Sequence, residues 1–308
     1  MSATARRVAI VGATASGKSA VAMAVATQLT DVELVSVDSM QIYRDMDVGT
    51  AKPTPDERRQ ISHHLLDLVE PTAEFTVAEF QKAYVGVLAD IAERRCRALL
   101  VGGTGLYHRA VIDEFTMPGE WPEIRARLET EAVQSGSARL HVRLVELDPT
   151  AASRMESSNT RRVVRALEVC EGSGRPFSSF GPGVDNYPDS PVTQIGLRWD
   201  RAAQAIRIEQ RIHAMMQSGL LDEVTRLARR GLSKTAAQAL GYKEMIAYLD
   251  GHVSQEQAVD QVIIRTRQFA VRQERWFRRD PRVRWIDIEH DPVAEAAPAV
   301  IEAFENGP

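Results

Sequence analysis

Short apolar runs alternate with segments of helical spacing over the first hundred residues of the chain. The runs at 7–11, 32–37 and 98–101 have the length and composition of strands that are buried on both faces. Helical spacing fills the stretches at 20–29 and 76–95, and the second of these opens with the capping-box sequence TVAE. This alternation predicts an α/β fold with a parallel sheet, whose ligands bind at the carboxyl ends of the strands.

The alternation stops near residue 116. Helical stretches follow at 123–134 and 159–171, then a segment rich in Gly, Pro, Ser and Asp at 172–191. An apolar run at 194–199 predicts a strand that returns to the sheet. We therefore predict a mostly helical insert with a flexible return. The predicted parts are a first core segment at 1–115, the insert at 116–191, and the completion of the core with C-terminal helices at 192–308.

Two long helices are predicted in the last segment, at 202–231 and 255–279. In the second helix, Val262, Phe269 and Trp276 repeat every seven residues and are expected to face the core. A different face of the same helix carries a mainly basic stripe with i, i+3 and i+7 spacing. Its members are Arg265, Gln268, Arg272, Arg275 and Arg279.

The formal net charge of −4 hides an uneven distribution. Residues 196–284 carry 17 Lys and Arg against 10 Asp and Glu, whereas residues 285–308 carry six acidic residues and no basic one. Residues 261–284 include eight arginines but only two acidic residues. A basic stripe on an acidic protein suits a polyanionic partner that binds to one face of the protein. The alternative interpretation is that these arginines form an ordinary solvated face of the helix.

The composition is that of a globular protein: 44% of its 308 residues are hydrophobic and 26% are charged. The apolar runs are a few residues long, whereas a membrane-spanning helix needs about 20. Two cysteines, Cys96 and Cys170, are too few for a disulfide framework and are not spaced as metal ligands. We therefore expect a reduced, cytoplasmic protein without a membrane partner.

Residues 12–19 read GATASGKS, a complete match to G-x-x-x-x-G-K-[ST] between a predicted strand and a predicted helix. In such a loop, backbone N–H groups and the helix N-terminus surround an anion. Lys18 supplies charge to the terminal phosphate, and Ser19 offers a hydroxyl to Mg²⁺. The sequence therefore predicts a P-loop NTPase-like sheet that binds the phosphates of a nucleotide such as ATP, or those of a diphosphate. The predicted binding residues are Gly12, Ala13, Thr14, Ala15, Ser16, Gly17, Lys18 and Ser19.

The other strand ends argue against an ordinary ATPase. Hydrolysing P-loop enzymes usually end a later strand in an Asp that holds Mg²⁺, but the strand at 98–101 is followed by Gly-Gly-Thr-Gly. The acid follows the second strand instead, as Asp38, where it is placed to act as a base for a bound nucleophile or as an indirect Mg²⁺ partner. The alternatives are that Asp38 is a cap or turn residue and that Thr104 belongs to a turn between glycines.

The sequence resembles the bacterial tRNA dimethylallyltransferase (tRNA isopentenyltransferase) family over nearly its whole length. The motifs that carry the resemblance are GATASGKS at 12–19, DSMQIYR at 38–44, GTAKP at 49–53, HHLLD at 63–67, GGTGLY at 102–107, RRVVRALEV at 161–169, RIEQR at 207–211, GYKE at 241–244, TRQ at 266–268, RQ at 272–273 and WF at 276–277. One departure is Ala13, where the family usually has proline.

The resemblance implies transfer of a dimethylallyl group from dimethylallyl diphosphate to the exocyclic amine of the adenosine 3′ of the anticodon in tRNA, with release of diphosphate. It implies that the P-loop holds this leaving group, while Mg²⁺, Lys18 and Arg211 neutralise its charge. Asp38 matches the general base of the family. Thr104 matches its active-site threonine, which orients the amine or the diphosphate. Arg207, one turn from Arg211, is expected to assist.

The resemblance also implies a monomeric enzyme that binds the anticodon stem-loop of tRNA. Ser39, Met40 and Gln41 are expected to line the pocket of a flipped adenine, with Gln41 as a hydrogen-bonding partner. Arg272 and Arg275 become candidates for phosphate-backbone contacts. The implied tRNA-binding residues are Asp38, Ser39, Met40, Gln41, Thr104, Arg125, Arg161, Arg162, Val163, Val164 and Arg165. Surface salt bridges are the alternative for the arginines of the insert.

Two other functions share parts of this pattern. A P-loop kinase of a small-molecule acceptor has the same fold and predicts phosphoryl transfer from ATP under an arginine-rich lid. A nucleotide-switched RNA-binding module predicts that removal of the Asp38 carboxylate leaves the biological activity intact.

Overall fold

The computed structural model describes residues 7–181, 183 and 186–306, and the chain divides into two compact units. The first unit comprises Met1–Asp113 and Tyr187–Pro308, and the second comprises Glu114–Asn186. The second unit therefore begins and ends a few residues before the limits of the predicted insert.

The first unit contains a sheet in which all neighbouring strands are parallel. Its order is β3-β2-β4-β1-β5-β6. The predicted strands are all present, and the predicted α/β class is confirmed; β3 and β6 were not expected. The strands are β1 (Arg7–Gly12), β2 (Val32–Ser36), β3 (His63–His64), β4 (Arg97–Gly102), β5 (Val192–Trp199) and β6 (Val283–Ile288).

The register brings three loops to one edge of the sheet. Val11 lies opposite Gly102 in the β1–β4 pair, and Ser36 lies opposite Val101 in the β2–β4 pair. The strands β2, β4 and β1 therefore end side by side. The loops that follow them carry the acid, threonine and phosphate-loop motifs that the sequence analysis singled out.

Helices cover both faces of this sheet and also form the second unit. Within the described residues, no helix is both long enough and apolar enough to cross a membrane. The helices are α1 (Lys18–Gln28), α2 (Pro55–Gln60), α3 (Val77–Glu93), α4 (Gly105–Ile112), α5 (Pro122–Ser135), α6 (Ser137–Leu147), α7 (Pro149–Ala152), α8 (Thr160–Ser173), α9 (Arg201–Gln217), α10 (Leu220–Arg230), α11 (Tyr242–Leu249), α12 (Gln255–Phe277) and α13 (Pro292–Asn306), with short 3₁₀ turns at Phe177–Phe180 and Ala236–Gln238.

The core of the first unit lies on both sides of the sheet. On one side, Val8 and Ile10 of β1 belong to the same buried cluster as Val25 of α1 and Val300 and Phe304 of α13. The opposite side faces a larger cluster to which α3, α4 and α9–α12 contribute. The capping box predicted for α3 is confirmed, because Thr76 and Glu79 exchange side chain-to-backbone hydrogen bonds.

The long helix predicted at 202–231 is wrong as a single element. It is broken into α9 and α10 at Ser218 and Gly219. Gly219 has a φ of 93°, in the left-handed region where L-residues with a side chain are strained. The apolar periodicity continues across the break, which is why the spacing alone suggested one helix.

The predicted core face of α12 is partly wrong. Val262 is buried, but Phe269 and Trp276 are only half-buried. An α-helix drifts by about 20° per seven residues, so a strict heptad moves off the buried face. The residues of α12 that are buried are Ala258, Val262, Ile263, Ala270, Gln273 and Phe277.

The second unit has its own core, in which Leu128, Leu144 and Leu167 are fully buried. The segment predicted as a flexible return at 172–191 contains the last two residues of α8 and a 3₁₀ turn. Residues 182, 184 and 185 of that segment lie outside the described residues.

A buried carboxylate anchors the loop that follows β2. Glu223, on α10, accepts hydrogen bonds from the backbone N–H groups of Asp47, Val48 and Gly49 at 2.8–3.1 Å. It also accepts one from the Tyr242 hydroxyl. One side chain thus satisfies three adjacent backbone donors, and it ties the loop to helices that are distant in sequence.

We predict that Glu223→Gln lowers the free energy of unfolding by roughly 2–4 kcal/mol, because an amide NH₂ faces backbone N–H donors where a carboxylate oxygen accepted them. Urea denaturation measures the change. Asp222→Asn on the same turn, where the side chain is exposed, is the matched control and should cost less than about 1 kcal/mol. Equal effects of the two substitutions would contradict the anchoring role.

Candidate active site

The phosphate-binding motif forms the turn between β1 and α1. Helix α1 begins at Lys18, and Gly17 precedes it with a φ of 96°. A Cβ atom on Gly17 would lie 2.5 Å from Cγ of Pro292, so there is no room for a side chain at this position. The N-terminus of α1 therefore opens directly onto the loop, as an anion site requires.

Side chains from distant segments hold the carbonyl groups of this loop. The Trp199 indole Nε1–H donates to the Ser16 carbonyl at 3.1 Å, and Nε of Arg207 donates to the Ala15 carbonyl at 3.0 Å. The Lys18 ammonium donates to the Ala13 carbonyl at 2.6 Å. These side chains support the loop in addition to its own backbone hydrogen bond, from the Ser16 N–H to the Ala13 carbonyl.

A cavity of about 410 Å³ opens beside the loop. It contains two cations, Lys18 and Arg211, which are close enough to repel each other. Burial and the Arg211 charge lower the pKa of the Lys18 ammonium to about 7, although Asp38 acts in the opposite direction. The cavity is lined by Ala15, Ser16, Gly17, Lys18, Ser19, Ala20, Arg207, Gln210, Arg211 and Ala214.

Arg211 projects from α9 toward this cavity without an ion-pair partner among the described residues. Burial lowers the pKa of its guanidinium, and only the charge of Asp38 opposes that effect. Arg207, one turn earlier, stacks its guanidinium 4.3 Å from the centre of the Trp199 ring. Helix α9 thus directs two arginines at the phosphate loop, as a site for a multiply charged anion requires.

Asp38 lies two residues beyond the end of β2. One of its carboxylate oxygens, Oδ1, accepts a hydrogen bond from the Met40 N–H at 2.8 Å, which is the turn contact considered as an alternative in the sequence analysis. Within the described residues, its second oxygen has no hydrogen-bond partner. The charge of Asp38 raises the pKa of both Lys18 and Arg211, so the carboxylate lies near these two cations, although it does not itself line the cavity.

Thr104 lies between the other two loops, at the N-terminus of α4. Its Oγ1 accepts a hydrogen bond from the Ser39 N–H at 3.2 Å and lies 3.4 Å from the Ser39 hydroxyl. The threonine therefore holds the residue next to Asp38. The structure brings together Lys18, Asp38, Thr104 and Arg211, which were predicted from four separate segments of the sequence.

Gln41 differs from the expectation that its amide is available to a flipped base. Its Oε1 accepts a hydrogen bond from the Ser36 hydroxyl at 2.7 Å, and its Nε2 donates to the carbonyls of Thr50 and Ala51. These contacts occupy both ends of the amide with the chain's own loop. Ser39 and Met40 are half-buried beside it.

Two residues of the site were missed by the sequence analysis. Trp199 ends β5 at the same sheet edge as the phosphate loop, and that position is the signal that could have identified it. Gln273 lies on the buried face of α12 and contacts the backbone of both Thr14 and Gly103. Its signals were its place in the RQ motif at 272–273 and its position as a polar residue beside apolar ones on the same helix.

In the second unit, the predicted RNA-contacting residues fall into two groups. Arg161 and Arg162 are exposed on the first turn of α8. Arg125 and Arg165 instead form ion pairs with the buried carboxylate of Glu168, at 2.8 and 3.0 Å. The salt-bridge alternative therefore describes Arg125 and Arg165.

The structure does not offer the side chains of Val163 and Val164 for RNA contact. Their exposed fractions are 0% and 3%, because the helical period turns them into the core of the second unit while their neighbours face outward.

The residues available for a metal ion are those of the phosphate loop. Among the described residues, no group of three His, Cys, Asp or Glu side chains could hold a metal ion. Ser19 is exposed at the rim of the cavity. A single hydroxyl beside a phosphate site fits Mg²⁺, which usually keeps several waters and takes other ligands from substrate phosphates.

Comparison with known proteins agrees with this geometry. Residues 41–280 match the family model described as IPP transferase. A tRNA dimethylallyltransferase of Pseudarthrobacter chlorophenolicus is 49% identical over 293 residues, which cover 94% of this chain and 96% of that protein.

Solved structures give the same result. The tRNA isopentenylpyrophosphate transferase of Bacillus halodurans is 38% identical, with a TM-score of 0.69 and 98% of both chains covered. A eukaryotic dimethylallyltransferase that acts on tRNA shares the fold at 23% identity, with a TM-score of 0.81 over 98% of this chain and 80% of that one. The chain therefore belongs to the IPP transferase family of tRNA dimethylallyltransferases.

Proposed function

We propose that this protein transfers a dimethylallyl group from dimethylallyl diphosphate to the exocyclic amine of the adenosine 3′ of the anticodon in tRNA. The observation that carries the proposal is that two cations line one cavity beside the phosphate loop, with a carboxylate near both of them. Lys18 and Arg211 repel each other there unless an anion lies between them, and Asp38 lies beside them. The family to which the chain belongs supports the choice of substrates.

The phosphate loop and the two cations bind the diphosphate of the donor. As the bond between the allylic carbon and the diphosphate oxygen breaks, the electron pair leaves with the oxygen, and negative charge grows on the diphosphate. Lys18, Arg211 and the N-terminus of α1 already face that position, so they stabilise the leaving group without rearranging. Arg207 is near enough to assist on the same side.

Mg²⁺ fits this site through the Ser19 hydroxyl together with oxygens of the diphosphate. When bound, the ion supplies further positive charge to the leaving group. The rest of the charge comes from the chain itself, through Lys18 and Arg211.

Asp38 is the base in this proposal. The amine of adenine is a poor nucleophile because its lone pair is delocalised into the ring. As its nitrogen bonds to the allylic carbon, one amine proton passes to the carboxylate oxygen that the Met40 N–H leaves unoccupied. Thr104 holds the neighbouring Ser39 and so fixes where that oxygen points.

The acceptor base must leave the stack of the anticodon loop to reach Asp38. Exposed arginines on α8 and α12, including Arg161, Arg162, Arg272 and Arg275, supply positive charge for the phosphate backbone of the anticodon stem-loop. Gln41 serves to fix the loop that carries Asp38, because its amide is already hydrogen-bonded within the chain. We propose that one chain suffices for the reaction.

The decisive experiment treats unmodified tRNA with the purified protein, Mg²⁺ and dimethylallyl diphosphate, followed by mass spectrometry of the nucleosides. The expected product is an adenosine that carries one dimethylallyl group. A parallel reaction with labelled ATP and small-molecule acceptors tests the kinase alternative. Label transfer from ATP without prenylated adenosine would overturn the proposal.

Asp38→Asn tests the base. The amide oxygen still accepts the Met40 N–H, but it cannot take up a proton at neutral pH. We expect kcat to fall by about 10²–10⁴-fold with little change in tRNA affinity. Asp90→Asn, at an exposed position of α3, is the matched control and should behave as the wild type. Near-normal turnover of the Asp38 variant would refute the assignment.

The lowered pKa of Lys18 predicts that donor binding takes up a proton. Above a pH of about 7, the ammonium is largely neutral in the free protein, whereas the bound diphosphate favours its charged form. At pH 8 we expect uptake of about one proton on binding, measured by calorimetry in buffers of different ionisation enthalpy. The affinity for the donor should therefore weaken as the pH rises above 7. Binding without proton uptake would contradict the predicted charge change.

The basic stripe of α12 is tested by the pair Arg272→Gln and Arg275→Gln. We expect weaker tRNA binding and a shallower dependence of log affinity on log salt, by roughly 1.5 in slope for two phosphate contacts. Arg226→Gln with Arg229→Gln, at exposed positions of α10, removes the same charge elsewhere and is the control. An unchanged slope for the Arg272 and Arg275 pair would exclude these contacts.

A further inference from the structure

One side-chain amide connects two of the three loops that form the site. Gln273 projects from α12 and is only 8% exposed. Its Oε1 accepts a hydrogen bond from the Thr14 N–H of the phosphate loop at 2.8 Å, and its Nε2 donates to the Gly103 carbonyl at 2.9 Å. Both polar atoms of the amide are therefore used, and each is used by a different loop.

The space beside Gly103 is filled by the amide of Gln273. A Cβ atom on Gly103 would lie 2.4 Å from Nε2 of Gln273 and 3.1 Å from the Gly12 carbonyl oxygen, so a side chain at Gly103 would displace the Gln273 amide from its place between the two loops. The two contacts also need opposite chemistry, because Thr14 presents a donor and Gly103 an acceptor. A primary amide provides both at the correct distance, and neither a carboxylate nor an apolar side chain does.

The contacts continue to the reacting groups on both sides. On one side, Thr14 follows Ala13, whose carbonyl accepts from the Lys18 ammonium. On the other side, Gly103 precedes Thr104, whose hydroxyl oxygen accepts from the Ser39 N–H, next to Asp38. Gln273 thus lies at the centre of a continuous chain of bonds between the cation that binds the diphosphate and the carboxylate.

We propose that Gln273 is a positioning residue that sets the separation between the diphosphate loop and the loop that carries the base. The inference rests on the proposed function, since the separation matters only when a carbon moves from one loop to a nitrogen held at the other. Displacement of reacting groups by about 1 Å can cost about 10²-fold in rate. The effect of Gln273 should therefore fall on kcat far more than on the KM of either substrate.

The substitution Gln273→Glu provides a reversible test. A carboxylate still accepts from the Thr14 N–H, but its second oxygen faces the Gly103 carbonyl and repels it. Burial beside a carbonyl raises the pKa of the new carboxyl group, so that lowering the pH restores a proton that can donate to Gly103. The kcat of this variant relative to wild type should be about tenfold or more lower at pH 8 and should recover toward pH 6.

Gln273→Met is the irreversible counterpart, because it has a similar length and can make neither hydrogen bond. Its kcat relative to wild type should be low at every pH, with KM values within about threefold of wild type. Gln255→Glu, at the exposed N-terminal end of the same helix, introduces the same charge away from the site and should follow the wild-type profile. Thermal unfolding of each variant separates loss of folded protein from loss of rate.

The outcomes are distinguishable. Recovery of Gln273→Glu at low pH, together with a pH-independent deficit of Gln273→Met, supports the positioning role. Two results with an active wild type would overturn the positioning role alone. In the first, the Gln273→Glu and Gln273→Met variants keep the wild-type kcat. In the second, both variants lose kcat to the same extent at every pH, and the loss matches their loss of folded protein. A folded wild type that transfers no prenyl group would overturn the proposed function and the positioning role with it.

Discussion

The repulsion between Lys18 and Arg211 is the constraint on which the rest of the site depends. Both groups line one cavity, where burial lowers the pKa of each and the charge of Arg211 lowers that of Lys18 further. Such a pair is unfavourable unless a ligand completes it, so the fold must hold both groups in place by other means. It does so with the N-terminus of α1, with α9, and with contacts to the loop carbonyls from Trp199 and Arg207.

The parallel sheet explains why chemistry from distant segments converges. Because β2, β4 and β1 are adjacent and in register, the loops after them meet without any specific contact having to draw them together. Side-chain contacts then refine the arrangement: Thr104 fixes the loop of Asp38, and Gln273 fixes the loop of Thr104. The coarse geometry comes from the backbone ladder, and the fine geometry from a few polar side chains.

The sequence was informative where local patterns decide structure. Buried strands, the phosphate loop and the capped helix α3 could be predicted because periodicity, glycine spacing and capping residues act within a few positions. The break at Gly219 and the incomplete burial of Phe269 could not be predicted, because the apolar spacing continues across both positions and tertiary packing selects which face of a helix is buried. Val163 and Val164 were assigned to RNA as members of a motif, although the helical period that buries them could be read from the same residues.

Partners formed across long separations were also invisible in the sequence. Nothing near Gln41 indicates that its amide is occupied by carbonyls nine and ten residues later, and nothing near Glu223 indicates that it receives the backbone of residues 47–49. Each of these contacts depends on two segments that meet only in the folded chain. The motifs therefore located the site. The structure was needed to tell which of its residues are available to a ligand and which hold the chain's own loops.

The contact of Pro292 with Gly17 has a consequence for how the protein is made. The phosphate loop leaves the ribosome first, but the residues that support it, Trp199, Gln273 and Pro292, follow it by roughly 180 to 280 positions. A nascent chain cannot complete its anion cradle until nearly all of its length has been translated. The phosphate loop of an unfinished chain therefore lacks the contacts that Trp199, Gln273 and Pro292 make with it in the complete fold.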